Sequence, residues 1–107
     1  MSTAEELQKK LNEVWQKVLP LMLTRLEAIE RAQRELQAAK LTDDLRLDAA
    51  QQAHKLAGSL GVFGMQEASE LAAKIEQLLS REAILNEESS AQLTDCVGRL
   101  KSSIESR

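Results

Sequence analysis

His54 is the only histidine in a chain of 107 residues, and three of the four glycines, Gly58, Gly61 and Gly64, follow it within ten positions. A histidine ring titrates near neutral pH, and its neutral form is a nucleophile able to accept a phosphoryl group. Lys55 and Ser59 stand close to it in the sequence. The first can counter phosphate charge and the second can donate a hydrogen bond. Metal chemistry is a poor reading, because there is no second histidine, the lone Cys96 lies in a helical stripe and no Glu-x-x-His spacing occurs. The run Gly58-Ser59-Leu60-Gly61-Val62-Phe63-Gly64 lacks the Gly-Lys-Ser/Thr ending of a phosphate-cradling loop and follows a helix rather than a strand.

The direction of the imidazole follows from helical spacing. With about 100° of rotation per residue, Leu45, Ala53, Leu56 and Leu60 fall within about 40° of Ala49 and form a core face, whereas His54 lies about 140° round from it. Its same-flank neighbours are Ala50, Ala57, Gly58 and Gly61, residues with little or no side chain. A glycine in a helix interior destabilises the helix by about 1 kcal/mol relative to alanine. A bundle has no need of Gly58, so this flank reads as clearance that lets a partner bring a reactive group up to a ring nitrogen.

The elements that must hold this flank are helical throughout. Ser2 and Thr3, with Glu5 and Glu6 three residues on, offer capping boxes for a helix starting near residue 4. Its stripe is Leu7, Leu11, Val14, Val18 and Met22, continuing in phase through Leu26, Ile29, Gln33 and Leu36. Pro20 either kinks one long helix or opens a second. Thr42 is an N-cap for a helix opened by Asp43 and Asp44 and ending near Gly61 to Gly64. A further helix carries Ala68, Leu71, Ala72, Ile75, Leu78 and Leu79 and ends near Ser80. The segment 81–85 is a connector with some buried apolar content, and Asn86 caps a last helix with the stripe Leu93, Val97, Leu100 and Ile104. The expected fold is all-α, an antiparallel four-helix bundle with an additional or kinked N-terminal helix, in one domain spanning residues 1–107.

Composition bounds the function. Hydrophobic residues at 43% and charged residues at 29% suit a globular chain, and the net charge of −3 argues against a phosphate-backbone partner such as nucleic acid. No apolar run reaches the length of a membrane span or a signal segment, which leads to the expectation of a cytoplasmic protein, and a monomer is expected. Trp15 and Cys96 read as packing residues.

The motif His54, Leu56, Gly58, Ser59 and Gly64 resembles the signature of the histidine-phosphotransfer (HPt) domain family: histidine, leucine two later, glycine four later, commonly serine next, and glycine ten later. Leu71, Ile75 and Glu76 fall where that family has its apolar spine and a polar residue facing the histidine. The likeness is strong over residues 45 to 80 and extends to the flanking helices in number and length alone.

The resemblance implies a bundle that relays phosphate between the aspartates of response-regulator receiver domains, with His54 as phosphoacceptor and no kinase activity of its own. The phosphate environment would comprise Lys55, Ser59 and Glu76, the last orienting the ring through its second nitrogen. Ala57 departs from the family, many of whose members carry lysine there, and Lys55 is the candidate replacement. The docking face would comprise Leu47, Ala50, Ala57, Gly58 and Gly61, with Val62 and Met65 fitting either this face or the core. Implied partners are a receiver domain and a hybrid sensor kinase, with Mg²⁺ held by the receiver and no cofactor in this chain. A kinase dimerisation helix fits less well, because Lys55 stands where that family has an acidic residue and no proline follows. The competing class is a non-catalytic adaptor bundle in which His54 is incidental.

Overall fold

The computed structural model describes residues 3–107. The four helices are α1 (Thr3–Gln37), α2 (Asp43–Val62), α3 (Gln66–Leu78) and α4 (Glu87–Glu105). They run up and down in sequence, with α1 against α2, α2 against α3, α3 against α4, and α4 closing the ring on α1. The core is apolar throughout: Trp15, Met22, Leu26 and Ile29 of α1 meet Ala49, Ala53, Leu56 and Leu60 of α2, Leu71 and Ile75 of α3, and Leu93, Val97, Leu100 and Ile104 of α4. No buried polar or charged side chain interrupts it among the described residues.

Local chemistry sets most of the helix ends. The Thr42 side chain accepts from the Leu45 amide at 3.2 Å, and Asp43 and Asp44 occupy the first turn of α2, where the helix dipole favours negative charge. Asn86 and Ser89 make a reciprocal capping box at the start of α4. α2 runs through Gly61 and stops one residue on, at Val62. Gly64 adopts φ +72°, its amide bonds the Gly61 carbonyl, and the Met65 amide bonds the Leu60 carbonyl. That is the Schellman arrangement, in which a left-handed residue just past the helix suits glycine. α1 ends in the same pattern with Ala39 at φ +55°, where Lys40 reaches the Glu35 carbonyl and Ala39 the Leu36 carbonyl.

Of the two alternatives at Pro20, one long helix is the one found: α1 is a single element of 35 residues with Pro20 inside it. The Ser2 capping box lies outside the described residues. Leu7 and Val14, read as core, are 59% and 47% exposed. At about 1.5 Å per residue α1 is about 52 Å long against about 28 Å for α4, so its first turns outrun every helix that could cover them. Burial begins at Trp15, which Phe63 meets edge-on at 5.1 Å and Arg107 caps at 4.9 Å. Leu45 is half-buried rather than fully in the core, and Ile84 in the connector is exposed, leaving Ala83 and Leu85 half-buried there.

Arg46 ties the α3 end to α2. Its Nε donates to the Leu79 carbonyl at 3.0 Å, and its Nη2 donates to the carbonyls of Ser80 and Ala83. A cation on the carbonyls that follow the C-terminal end of a helix is favourable on both hydrogen-bond and dipole grounds. This clamp sets the relation of α2 to α3 two turns from His54.

Candidate functional site

α2 supplies the histidine and α3 its partner. His54 is on the outer flank of α2 with its side chain 74% exposed, and its Nδ1–H donates to Glu76 Oε1 at 3.1 Å. A carboxylate only accepts, so in the neutral ring this contact places the proton on Nδ1 and leaves the lone pair on Nε2. Nε2 is the unengaged ring nitrogen among the described residues. Leu47, Ala50, Gln51, His54, Lys55 and Glu76 line one open concavity of about 550 Å³.

The helix packing that places Glu76 opposite His54 is fixed on either side. Ala53 and Leu56 of α2 and Ala72 and Ile75 of α3 are fully buried, which sets the rotation of both helices. One turn further on, the Ser69 hydroxyl donates to the Ala57 carbonyl at 2.7 Å, joining α3 to the α2 backbone beside the histidine.

Gly58 is exposed, and a Cβ built there would meet nothing within 4 Å. No internal close approach demands this glycine; the space it leaves is open to a second molecule. At Gly61 a Cβ would make ordinary contact with Ser69 Oγ at 3.6 Å, and Gly61 lines a separate hollow with Gly64, Gln66, Ser69 and Glu70. Val62, for which both roles were open, is 76% exposed, whereas Met65 packs partly buried against the core.

Not every residue singled out in the sequence gathers at the imidazole. Ser59 lies about 140° round α2 from His54, since five residues advance the helix by about 500°. Its hydroxyl meets Arg25 Nη1 of α1 at 3.5 Å instead. Ala57 is half-buried against the core, on the α2–α3 seam rather than on the open flank. Gln51, Ser69 and Arg46 were missed. Gln51, three residues before His54, was accessible from helical spacing; Ser69 and Arg46 act across the α2–α3 register, which spacing within one helix does not reveal.

The described residues form an all-helical bundle with one exposed imidazole, one ring nitrogen of which is held by a carboxylate. The chain belongs to the Hpt domain family, whose model matches residues 13–103. Members of this family are phosphocarriers rather than kinases and serve histidine phosphotransfer in phosphorelays. Among curated proteins the chain is similar to Protein RcaC of Microchaete diplosiphon, with 36% identity over 69 residues. That match covers 64% of this chain and 11% of the relative, so the chain corresponds to a small part of a much longer protein. No solved structure matches. No helix among the described residues is long and apolar enough to cross a membrane, and no group of three or more His, Cys, Asp or Glu side chains there could hold a metal ion.

Proposed function

We propose that His54 Nε2 accepts a phosphoryl group from the aspartyl phosphate of a receiver domain and passes it to the aspartate of another, in the cytoplasm. The observation that carries this reading is the Nδ1–Glu76 hydrogen bond on an imidazole that is otherwise three-quarters exposed. The lone pair on Nε2 attacks phosphorus in line; the Nε2–P bond forms while the P–O bond to the aspartyl carboxylate breaks, and that carboxylate leaves with the electron pair. The Nδ1 proton stays in place, so the phosphorylated ring carries a positive charge that faces the Glu76 carboxylate. Donation runs the same steps in reverse.

In phosphoryl transfer, positioning and charge neutralisation supply most of the acceleration. Glu76 positions the ring, and Lys55, across the same concavity, opposes the phosphoryl charge in place of the lysine absent at Ala57. Mg²⁺ would be the receiver's contribution. Leu47, Ala50 and Gly58 form the near docking face, and Val62 extends it. A hybrid sensor kinase carrying a receiver is the partner class that would feed such a domain.

The test is transfer from a receiver charged with a small phosphodonor. The chain gains an acid-labile, alkali-stable phosphate, and His54→Gln abolishes it. Absence of transfer from every receiver of the source organism would leave the adaptor reading in its place.

A further inference from the structure

Helical side chains lean toward the N-terminal end of their helix, so the exposed His54 imidazole lies over the part of α2 that precedes it. The concavity around the ring has that composition: Leu47, Ala50 and Gln51 come before His54, Lys55 follows it, and Glu76 closes the space from α3. Leu47 and Ala50 carry no polar side-chain atom. Gln51 and Lys55 are therefore the side-chain hydrogen-bond donors of the concavity besides the ring itself.

These donors stand opposite Glu76. At about 100° per residue, Gln51 and Ala57 lie about 60° to either side of His54, and Lys55 lies about 100° round on the Gln51 side. Ala57 belongs to the α2–α3 seam, where its carbonyl accepts from the Ser69 hydroxyl. Gln51 and Lys55 thus occupy the side away from α3. Glu76 holds Nδ1 toward α3, and Nε2, across the ring, is turned to the side that carries them. Residues three apart on a helix are neighbours, about 5–6 Å between Cβ atoms, which a glutamine amide can span.

Both side chains are exposed, and neither has a hydrogen-bond or ion-pair partner among the described residues. Gln52 behaves differently, donating to Asp48 Oδ1 of its own helix at 3.3 Å. The Gln51 amide is left for a group that arrives at Nε2.

We infer that Gln51 is a further catalytic residue of the phosphotransfer proposed above, the reading on which this inference rests. Its side-chain N–H donates to an equatorial oxygen of the phosphoryl group as the Nε2–P bond forms and the P–O bond to the aspartyl carboxylate breaks. Charge in that transition state is spread over three oxygens, which Lys55 meets as a point charge and Gln51 as a directed donor. Gln51 gains and loses no proton, so the same contact serves acceptance and donation. A lysine in place of Ala57 would stand on the seam side; in this chain the donors to the phosphoryl group stand on the other.

Single-turnover transfer from a charged receiver, measured over a range of receiver concentrations, tests the inference with Gln51→Ala, Gln51→Glu and Gln51→Lys. The position is exposed, so circular dichroism should show unchanged helix content in all three. Gln51→Ala should lower the maximal rate about tenfold and leave the half-saturating receiver concentration unchanged. Gln51→Glu should lower the rate further, and Gln51→Lys should recover most of it. Phosphorylation of the ring by phosphoramidate, which needs no receiver, should shift the Gln51 side-chain amide resonance of the ¹⁵N-labelled chain and leave that of Gln52 in place. A wild-type maximal rate in Gln51→Ala, whatever its half-saturation, or an unmoved Gln51 amide would overturn the inference. A chain that shows the amide shift with phosphoramidate but takes phosphate from no receiver would count against the relay reading while upholding the Gln51 contact.

Discussion

His54 and Glu76 belong to different helices, yet Nδ1 and Oε1 stand 3.1 Å apart, and this single contact leaves Nε2 as the ring nitrogen without a partner among the described residues. The buried small and apolar residues of the α2–α3 seam bring the two within reach, and the Arg46 clamp on the α3 carboxyl end keeps them in register.

Removing the contact should slow transfer without unfolding the chain. Glu76→Ala leaves the ring free to rotate and is expected to lower the rate of phosphoryl acceptance by roughly tenfold, whereas Glu76→Gln, which retains an acceptor oxygen, should be milder. Stability should change by no more than about 0.5 kcal/mol, because the pair is largely solvent-exposed. Rapid-quench transfer assays alongside denaturant titrations check both statements; equal rates in all three proteins would contradict the positioning role.

Gly58 separates helix stability from access. Gly58→Ala should stabilise the chain by about 0.5–1 kcal/mol, since a Cβ there meets nothing and alanine favours the helix. Gly58→Gln should keep the fold and block receiver docking. Gly98 is the control: it too has nothing within 4 Å of a built Cβ, but it lies on α4, so Gly98→Gln should leave transfer unchanged. Undiminished transfer by Gly58→Gln would remove the access argument.

The two Schellman ends make a matched pair with different residues at the left-handed position, Gly64 after α2 and Ala39 after α1. Ala39→Gly should therefore stabilise the protein by about 1 kcal/mol by relieving the Cβ clash with the backbone. Gly64→Ala should destabilise it by a similar amount, and thermal melts of the two variants check the opposite signs.

Burial pushes the Cys96 thiol up from its ordinary value of 9.0, with Asp95 adding to the shift. Below that value the thiol is neutral whether the chain is folded or not. Above it the unfolded chain releases its proton first, so stability falls as the pH rises until the folded thiol titrates as well. The advantage of the wild type over Cys96→Ala should shrink between about pH 8 and pH 10, measured by denaturant titration at each pH.

The parts of this structure that local chemistry determines were legible in the sequence. Thr42 with Asp43 and Asp44, Asn86, Gly64, and the stripes of α3 and α4 each announce themselves within a few residues, and His54 on its glycine-lined flank does too. What spacing misreads is relative to other helices. Leu7 and Val14 continue the α1 stripe in phase, and nothing within α1 tells that α2 and α4 are too short to cover them. Ser59 is five residues from His54 along the chain but most of half a turn away around the helix, and its hydroxyl belongs to Arg25 of α1. Arg46 and Ser69 act through contacts 33 and 12 residues distant, which emerge only once α2 and α3 are docked.

Nitrogen–phosphorus coupling in the phosphorylated, ¹⁵N-labelled chain reads directly which ring atom carries the phosphoryl group. A single phosphate coupled to His54 Nε2, with Nδ1 still protonated, is the expected result. A phosphate on Nδ1, or on any other residue, would contradict it.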